Sequence, residues 1–199
     1  MAGDTREQIM DATFAALCER GFADLTMQSI ADEFEKSKSL LHYHFDSKED
    51  LLVSFLEHLL EEFIADIEDC PEMDPAGRLL WMAQLVITGH GDDWAEDFHT
   101  AMLELRAQAP YNDAIREQLV HNDAVIREEI AGIVREGIAA GQFREVDPEV
   151  FAATFRSAIE GAQSHEVILG EAAPTDDALA GVEDLLVSDL LAEGVDLED

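Results

Sequence analysis

The segment Leu25–Leu52 constrains the fold of this chain more than any other, because its apolar residues fit two short helices in quick succession. Ile30 and Phe34 are spaced as on the inward face of one helix, and Leu41 and Phe45 repeat that spacing after an interruption. A longer apolar helix follows directly. Two short helices joined by a tight turn are typical of helix-turn-helix domains, in which the second helix enters the major groove of DNA.

The same segment contains all three lysines of the chain, Lys36, Lys38 and Lys48, although acidic residues outnumber basic ones 45 to 12 overall. Between residues 36 and 48 the single acidic residue is Asp46. The residues outside the apolar face of the second short helix are basic, hydroxyl-bearing or aromatic. Such groups contact bases and phosphates, so the segment predicts a DNA-reading surface.

The run SKSLLHYHFDSKEDL, from Ser37 to Leu51, resembles the DNA-binding domain of tetracycline-repressor (TetR) family regulators. Those proteins typically show Ser-x-Gly-x-Leu-Tyr-x-His-Phe-x-x-Lys-Glu-x-Leu after a Thr-x-x-x-Ile-Ala helix, which here is Thr26–Ala31, TMQSIA. The resemblance implies a three-helix helix-turn-helix domain over residues 1–50, with a fourth helix starting at about residue 47 and linking onward. It implies no cofactor.

Three positions depart from the family pattern. Glu35 stands where the family usually has a turn glycine, so we expect a non-glycine residue at positive φ, at a cost of about 1 kcal/mol. Ser39 replaces a second glycine on the recognition helix, and His42 replaces a tyrosine. Operator preference therefore cannot be carried over from the family.

The resemblance also implies which residues contact DNA. Gln28, Lys38, Ser39 and Leu40 would face base edges. The phosphates would be held by Thr26, Tyr43, His44 and Lys48. The alternative for Tyr43 and His44 is packing against the fourth helix. The full expected DNA-binding set is Thr26, Gln28, Lys36, Ser37, Lys38, Ser39, Leu40, His42, Tyr43, His44 and Lys48.

The remainder of the chain is also predicted to be helical, which makes the fold class all-α. Helix-breaking glycine and proline residues place helices at about 75–89, 93–108, 112–140, 148–169 and 175–193. This order resembles the helical effector-binding and dimerisation domain of the same family, here residues 51–199. The likeness beyond residue 50 is one of architecture, because the family has little motif there.

A homodimer is expected, because one helix-turn-helix domain (the reading head, residues 1–50) covers too little DNA for specificity. Two-fold symmetry then implies an inverted-repeat operator. Two apolar stripes on the last helices are the candidate interface, with burial inside one subunit as the alternative. The predicted interface residues are Phe151, Phe155, Ile159, Ala162, Val182, Leu185, Leu186 and Leu190.

The middle helices are the candidate pocket for an unknown small-molecule effector. Pockets of this kind are mostly apolar with a few convergent polar groups, but aromatic and methionine residues at helical spacing also build ordinary cores. The candidate effector-binding residues are Trp81, Met82, Trp94, Phe98, His99, Met102, Arg106 and Tyr111.

The net charge of −33 would repel DNA at long range. Salt screens such a field, since the Debye length falls to about 3 Å at 1 M, and we therefore hypothesise a salt-rich cytoplasm. No membrane span and no signal peptide are recognised, so a cytoplasmic location is expected. Cys18 and Cys70 are too few for a disulfide or metal framework.

Two other classes of function stay open. Glu96 and His99 form one Glu-x-x-His, which a metal-dependent helical-bundle enzyme would need twice. His58 with Glu61 or Glu62 is a similarly weak metal motif, and no catalytic motif is recognised. A helical adaptor without DNA binding is the other alternative. The favoured interpretation is a regulator that is not an enzyme: a homodimeric repressor released from its operator by a small molecule.

Overall fold

The computed structural model describes residues 2–33, 38–88 and 94–195. The positive φ expected at Glu35 and the DNA contacts expected of Lys36 and Ser37 fall outside these residues. Within the described part the fold is all-α, as predicted, and its one β feature is an isolated bridge between Phe143 and Leu191. No helix there combines the length and the apolar character needed to cross a membrane.

The helices follow the predicted order closely. They are α1 (Ala2–Asp24), α2 (Met27–Glu33), α3 (Lys38–His44), α4 (Lys48–Glu68), α5 (Pro75–Thr88), α6 (Trp94–Gln108), α7 (Asp113–Ala139), α8 (Pro148–Leu169), α9 (Thr175–Gly181) and α10 (Ser188–Leu190). A 3-10 turn, Gly170–Ala172, precedes α9, and a π-helical segment, Val182–Val187, joins α9 to α10. The single helix expected at 175–193 is therefore divided.

The chain forms two compact units, which we call unit 1 (Met1–Ala65 and Glu96–Asn122) and unit 2 (Asp66–Ala95 and Asp123–Asp199). Unit 1 thus groups the first three helices with most of α4, with α6 and with the start of α7. The domain boundary predicted at residue 50 was placed by expected function rather than by packing, and it stays a prediction.

Unit 1 is built around one apolar cluster. The inner face of α1 contributes Ile9, Ala12, Thr13, Ala16 and Leu17, which are all buried. The other buried members of the cluster are Met10, Leu25, Ile30, Ala31, Leu41, Phe45, Leu51, Leu52, Phe55, Leu56, Ala101, Met102, Leu105 and Ile115. Burial of this apolar surface supplies most of the driving force for folding the unit.

Side-chain caps fix where the helices of unit 1 begin. The Thr26 hydroxyl accepts a hydrogen bond from Ser29 N at 3.0 Å, and the Ser29 hydroxyl accepts one from Thr26 N at 2.8 Å. Ser47 caps α4, accepting from Asp50 N at 3.0 Å. These bonds satisfy amides that have no partner inside their helix.

Unit 2 has a separate apolar core in which α5, α7 and α8 take part, with Leu79, Ile130, Val134, Phe155 and Ile159 among its buried residues. Asp147 caps α8 by accepting from Glu149 N and Val150 N, both at 3.1 Å. Pro148 occupies the first turn, where its missing amide costs no hydrogen bond.

The end of the described chain is fastened to the turn after α7. Arg144 N donates to Leu190 O at 2.9 Å, and Ala192 N donates to Gln142 O at 2.8 Å. The Phe143 ring lies directly against Gly137, where any Cβ would overlap it. The turn therefore depends on a glycine for space.

Candidate nucleic-acid interface

Helix α2 presents a polar face because its other face is fixed in the core. Ser29, Ile30 and Ala31 are buried, which leaves Gln28 exposed. Gln28 Nε2 donates to Asp32 Oδ1 at 2.7 Å, one turn further along the same face. The amide is thus held outward by a partner that it could exchange for a base edge.

Helix α3 is anchored by two residues four apart. Leu41 is 0% exposed and Phe45 is 7% exposed, so the opposite face of the helix must point away from the core. Leu40 is partly buried against the same cluster. Lys38 is the first residue of α3, and its side chain lies outside the described residues.

The outward face of α3 carries the hydroxyl, imidazole and phenol groups predicted to meet DNA. Ser39, His42 and His44 are exposed, and Tyr43 is 83% exposed. The Tyr43 and His44 rings meet edge to face, with centroids 5.2 Å apart. This geometry leaves the Tyr43 hydroxyl accessible to a partner molecule.

Lys48 occupies a different environment from the exposed residues of α3. Its Nζ donates to Leu25 O at 2.8 Å and to Phe22 O at 3.4 Å, and it lies 4.4 Å from the centroid of the Phe22 ring. Burial lowers the pKa of Lys48 from the ordinary lysine value. The phosphate contact predicted for Lys48 would compete with these two carbonyls.

The backbone at the end of α1 is also bound by Glu104 of α6. Gly21 has φ 68° and ψ 169°, which interrupts the helical conformation of α1. Phe22 N, released by this break, donates to Glu104 Oε2. Sequence reasoning missed Glu104, because a contact 82 residues away leaves no periodic or motif signal.

Five of the eight predicted interface residues are buried within the single subunit: Phe155, Ile159, Ala162, Val182 and Leu190. Leu185 is 75% exposed, and Phe151 and Leu186 are partly buried. A cavity of about 230 Å³ is lined by small residues and His165 of α8 and by residues at the start of α9. Its lining is Ser157, Ala158, Gly161, Ala162, His165, Pro174, Thr175 and Ala178.

The candidate effector residues are distributed over both units. Met82 is buried and Trp81 partly buried in unit 2. In unit 1, Met102 belongs to the apolar cluster and Phe98 packs against it. His99 is buried, Arg106 is partly buried and Tyr111 is 88% exposed. The Trp94 side chain lies outside the described residues.

Two further groups bear on the metal and redox interpretations. Among the described residues, no group of three or more His, Cys, Asp or Glu side chains could hold a metal ion. His58 Nε2 lies 3.5 Å from Glu62. Burial, reinforced by Asp97, raises the pKa of the Cys18 thiol to about 11, which keeps it protonated and weakly reactive.

Two protein families match the sequence. Residues 9–55 match the family described as bacterial regulatory proteins, tetR family. Residues 77–191 match the C-terminal domain of BetI-type transcriptional repressors. The second match alone covers more than half of the chain.

Individual proteins show the same likeness. The crystal structure of a TetR transcription regulator from Haloarcula marismortui ATCC 43049 has a TM-score of 0.84 and 35% identity, covering 96% of this chain and 100% of that one. A choline-bound regulator from Saccharomonospora viridis shares the fold at a TM-score of 0.80 and 22% identity, covering 96% of this chain and all of that one. The HTH-type transcriptional regulator BetI of Brucella suis biovar 1 (strain 1330) is 26% identical over 114 residues, or 57% of this chain and 58% of that relative.

Proposed function

Because the chain belongs to the tetR family of bacterial regulatory proteins, we propose that it is a DNA-binding transcriptional regulator, a homodimeric repressor that a small molecule releases from its operator. The observation that carries the proposal is the geometry of α3. Leu41 and Phe45 lock one face into the core, while Ser39, His42 and Tyr43 are exposed on the other. A short helix presented in this way fits the major groove.

The contacts divide into two kinds. Lys38 at the start of α3 would reach guanine acceptors, and Gln28 would pair with adenine. Tyr43 and His44 would hold phosphates, together with Thr26 at the start of α2, and so fix the register without reading sequence. Loss of a phosphate contact should weaken binding to all sequences alike, whereas loss of a base contact should relax the preference at one position.

The partner in the dimer would be a second copy of this chain. Ile168, Leu169 and Leu185 are large apolar side chains that the last helices expose to solvent. Ala158 and Gly161 on α8 are small enough to let a partner helix approach closely. With Phe155 and Ile159 buried inside the subunit, these exposed positions, together with Phe151 and Leu186, would supply the surface between copies.

Release by an effector would follow from a shift in populations. A small molecule that binds better to the conformation with displaced reading heads withdraws the dimer from DNA. Coupling of this kind is typically 1–3 kcal/mol, or roughly 5- to 150-fold in affinity. Choline is the first probe to add, because the choline-bound regulator from Saccharomonospora viridis shares this fold.

The decisive experiment selects duplexes from a random pool with the purified protein in about 1 M salt, where repulsion from a net charge of −33 is screened. We expect an inverted repeat with half-sites offset by whole helical turns. Tyr43→Ala should then weaken binding roughly 30-fold, since each of the two half-sites loses a contact of about 1 kcal/mol. Val120→Ala, an exposed position on α7, is the control and should bind normally.

Two results would overturn the proposal. Failure to enrich any duplex in molar salt would favour a helical adaptor without DNA binding. Equal affinity of Tyr43→Ala, Lys38→Ala and the unmodified protein would show that α3 is not the reading helix.

A further inference from the structure

The segment from the break in α1 to the start of α2, which we call the corner (Gly21–Leu25), is held by two side chains of opposite charge. The carboxylate of Glu104 accepts from the Phe22 amide, and the ammonium of Lys48 donates to the carbonyls of Phe22 and Leu25. One group comes from α6 and the other from the first residue of α4. Charged side chains therefore bind both an N–H group and C=O groups of the corner backbone.

Glycine at position 21 makes the Glu104 contact possible. A φ of 68° lies in the left-handed region that other residues avoid, and it turns the Phe22 amide out of the helix. A Cβ at Gly21 would lie 3.1 Å from both carboxylate oxygens of Glu104. The break in α1 thus creates the donor and also leaves room for its acceptor.

The corner leads directly into Thr26, which caps α2. Its direction therefore sets the direction of α2, and α2 in turn packs against α3. Hydrogen bonds to ionised groups are about twice as strong as neutral ones, and Glu104 and Lys48 reach the backbone rather than another flexible side chain. Contacts of this type define an angle better than apolar packing, which is non-directional.

We propose that Glu104 is a positioning residue for DNA binding: through the Phe22 amide it holds the corner, and with Lys48 it fixes the orientation in which α2 and α3 are presented. The proposal rests on the function proposed above. Without Glu104, α2 and α3 would occupy several orientations. The apparent affinity for DNA would then fall in proportion to the fraction of molecules in the orientation that binds.

The test compares Glu104→Met, which keeps the length of the side chain but has no acceptor, with Glu104→Gln, which keeps an acceptor oxygen. Affinity is measured for the duplex that the unmodified protein selects from a random pool. We expect Glu104→Met to bind about tenfold more weakly, and Glu104→Gln to stay within about threefold of the unmodified protein. Glu117→Met, at an exposed glutamate on α7 of the same unit, is the matched control and should leave affinity unchanged.

Amide hydrogen exchange separates positioning from simple stability. In the unmodified protein the Phe22 amide should exchange slowly, and in Glu104→Met it should lose protection while core amides such as that of Leu56 keep theirs. Unprotected Phe22 in the unmodified protein overturns the proposal, even if Glu104→Met fails to fold. Equal affinity of the Met variant, or failure of the Gln variant to restore binding, also overturns it.

Lys48 supplies an independent arm of the test. If it positions the corner, Lys48→Met weakens binding without changing the salt dependence of affinity. A reduction of the salt slope by about two, one for each subunit of the dimer, would instead identify Lys48 as a phosphate contact and remove it from the proposal. Failure of the unmodified protein to select any duplex would contradict the proposed function, whereas the exchange measurement on Phe22 would still decide the contact itself.

Discussion

Both units of this chain combine backbone-directed polar contacts with ion pairs, but they differ in how much acidic charge they carry. In unit 1 several polar contacts are made to the backbone: Glu104 to Phe22 N, Lys48 to Leu25 O, and Asn122 Nδ2 to Leu56 O at 2.9 Å. In unit 2 every arginine makes an ion pair with a carboxylate. The arginines of unit 2 are Arg78, Arg127, Arg135, Arg144 and Arg156.

The acidic charge is concentrated in unit 2. Unit 2 holds 26 of the 45 acidic residues but only five of the 12 basic ones. Arg135 bridges Glu128 and Glu149 at 3.0 and 2.8 Å, and Arg78 meets Glu136 at 2.6 Å. Exposed pairs contribute about 0–1 kcal/mol each, so they reduce repulsion among acids more than they hold the unit together. Backbone-directed contacts, in contrast, fix angles between helices.

The largest expected effect tests whether both units depend on their apolar cores. Phe55 of unit 1 is 1% exposed and Phe155 of unit 2 is 0% exposed. Phe55→Ala and Phe155→Ala should each lower the free energy of unfolding by about 3–5 kcal/mol, measured by urea denaturation in molar salt. A cost near 1 kcal/mol for Phe155→Ala alone would show that ion pairs, not apolar burial, hold unit 2.

A second prediction contrasts two glycines of α7. At Gly137 a new Cβ would overlap the Phe143 ring, whereas at Gly132 nothing lies within 4 Å. Gly137→Ala should therefore cost about 1–3 kcal/mol of stability. Gly132→Ala should gain about 0.5–1 kcal/mol, because alanine loses less entropy in a helix.

Thermal unfolding of the two glycine variants measures both the expected loss and the expected gain of stability. If Gly137→Ala is neutral, Phe143 can withdraw, and the turn after α7 is looser than its contact with Gly137 indicates. Unit 1 offers the contrasting case of Gly21, which the corner requires for its φ as well as for space.

The smallest effect compares one helix cap from each unit. Thr26→Ala and Asp147→Ala should each lower the free energy of unfolding by about 1 kcal/mol. Only Thr26→Ala should also weaken operator binding, because α2 belongs to the proposed reading head. Equal effects of the two variants on DNA affinity would remove the functional distinction between the units.

The sequence predicts those features of the structure that depend on interactions between residues close in the chain. Helix bounds matched to within one or two residues from α5 to α8, because glycine, proline and helical periodicity mark them. The caps at Thr26 and Ser47 were predictable, since a hydroxyl just before an apolar helical run can accept a hydrogen bond from a free amide of the first turn. The anchors Leu41 and Phe45 followed from their spacing alone.

Contacts between distant parts of the chain were not predictable. Glu104 is one of 45 acidic residues, and nothing in its neighbourhood marks it as the acceptor for Phe22. The carbonyl partners of Lys48 were missed for the same reason. Likewise, periodicity identifies the apolar stripe of α8 but not whether a partner or the same subunit covers it, and Phe155 and Ile159 are covered by the subunit.

The π-helical segment Val182–Val187 has a consequence for comparing this chain with its relatives. A π turn contains one residue more than the α turn that it replaces, so it shifts the phase of the apolar pattern. Val182, Val187 and Leu190 are buried here, while Leu185 is exposed. A relative with a regular helix should align only if a one-residue gap is placed within 182–187, and an ungapped alignment would pair buried positions with exposed ones for the remainder of the chain.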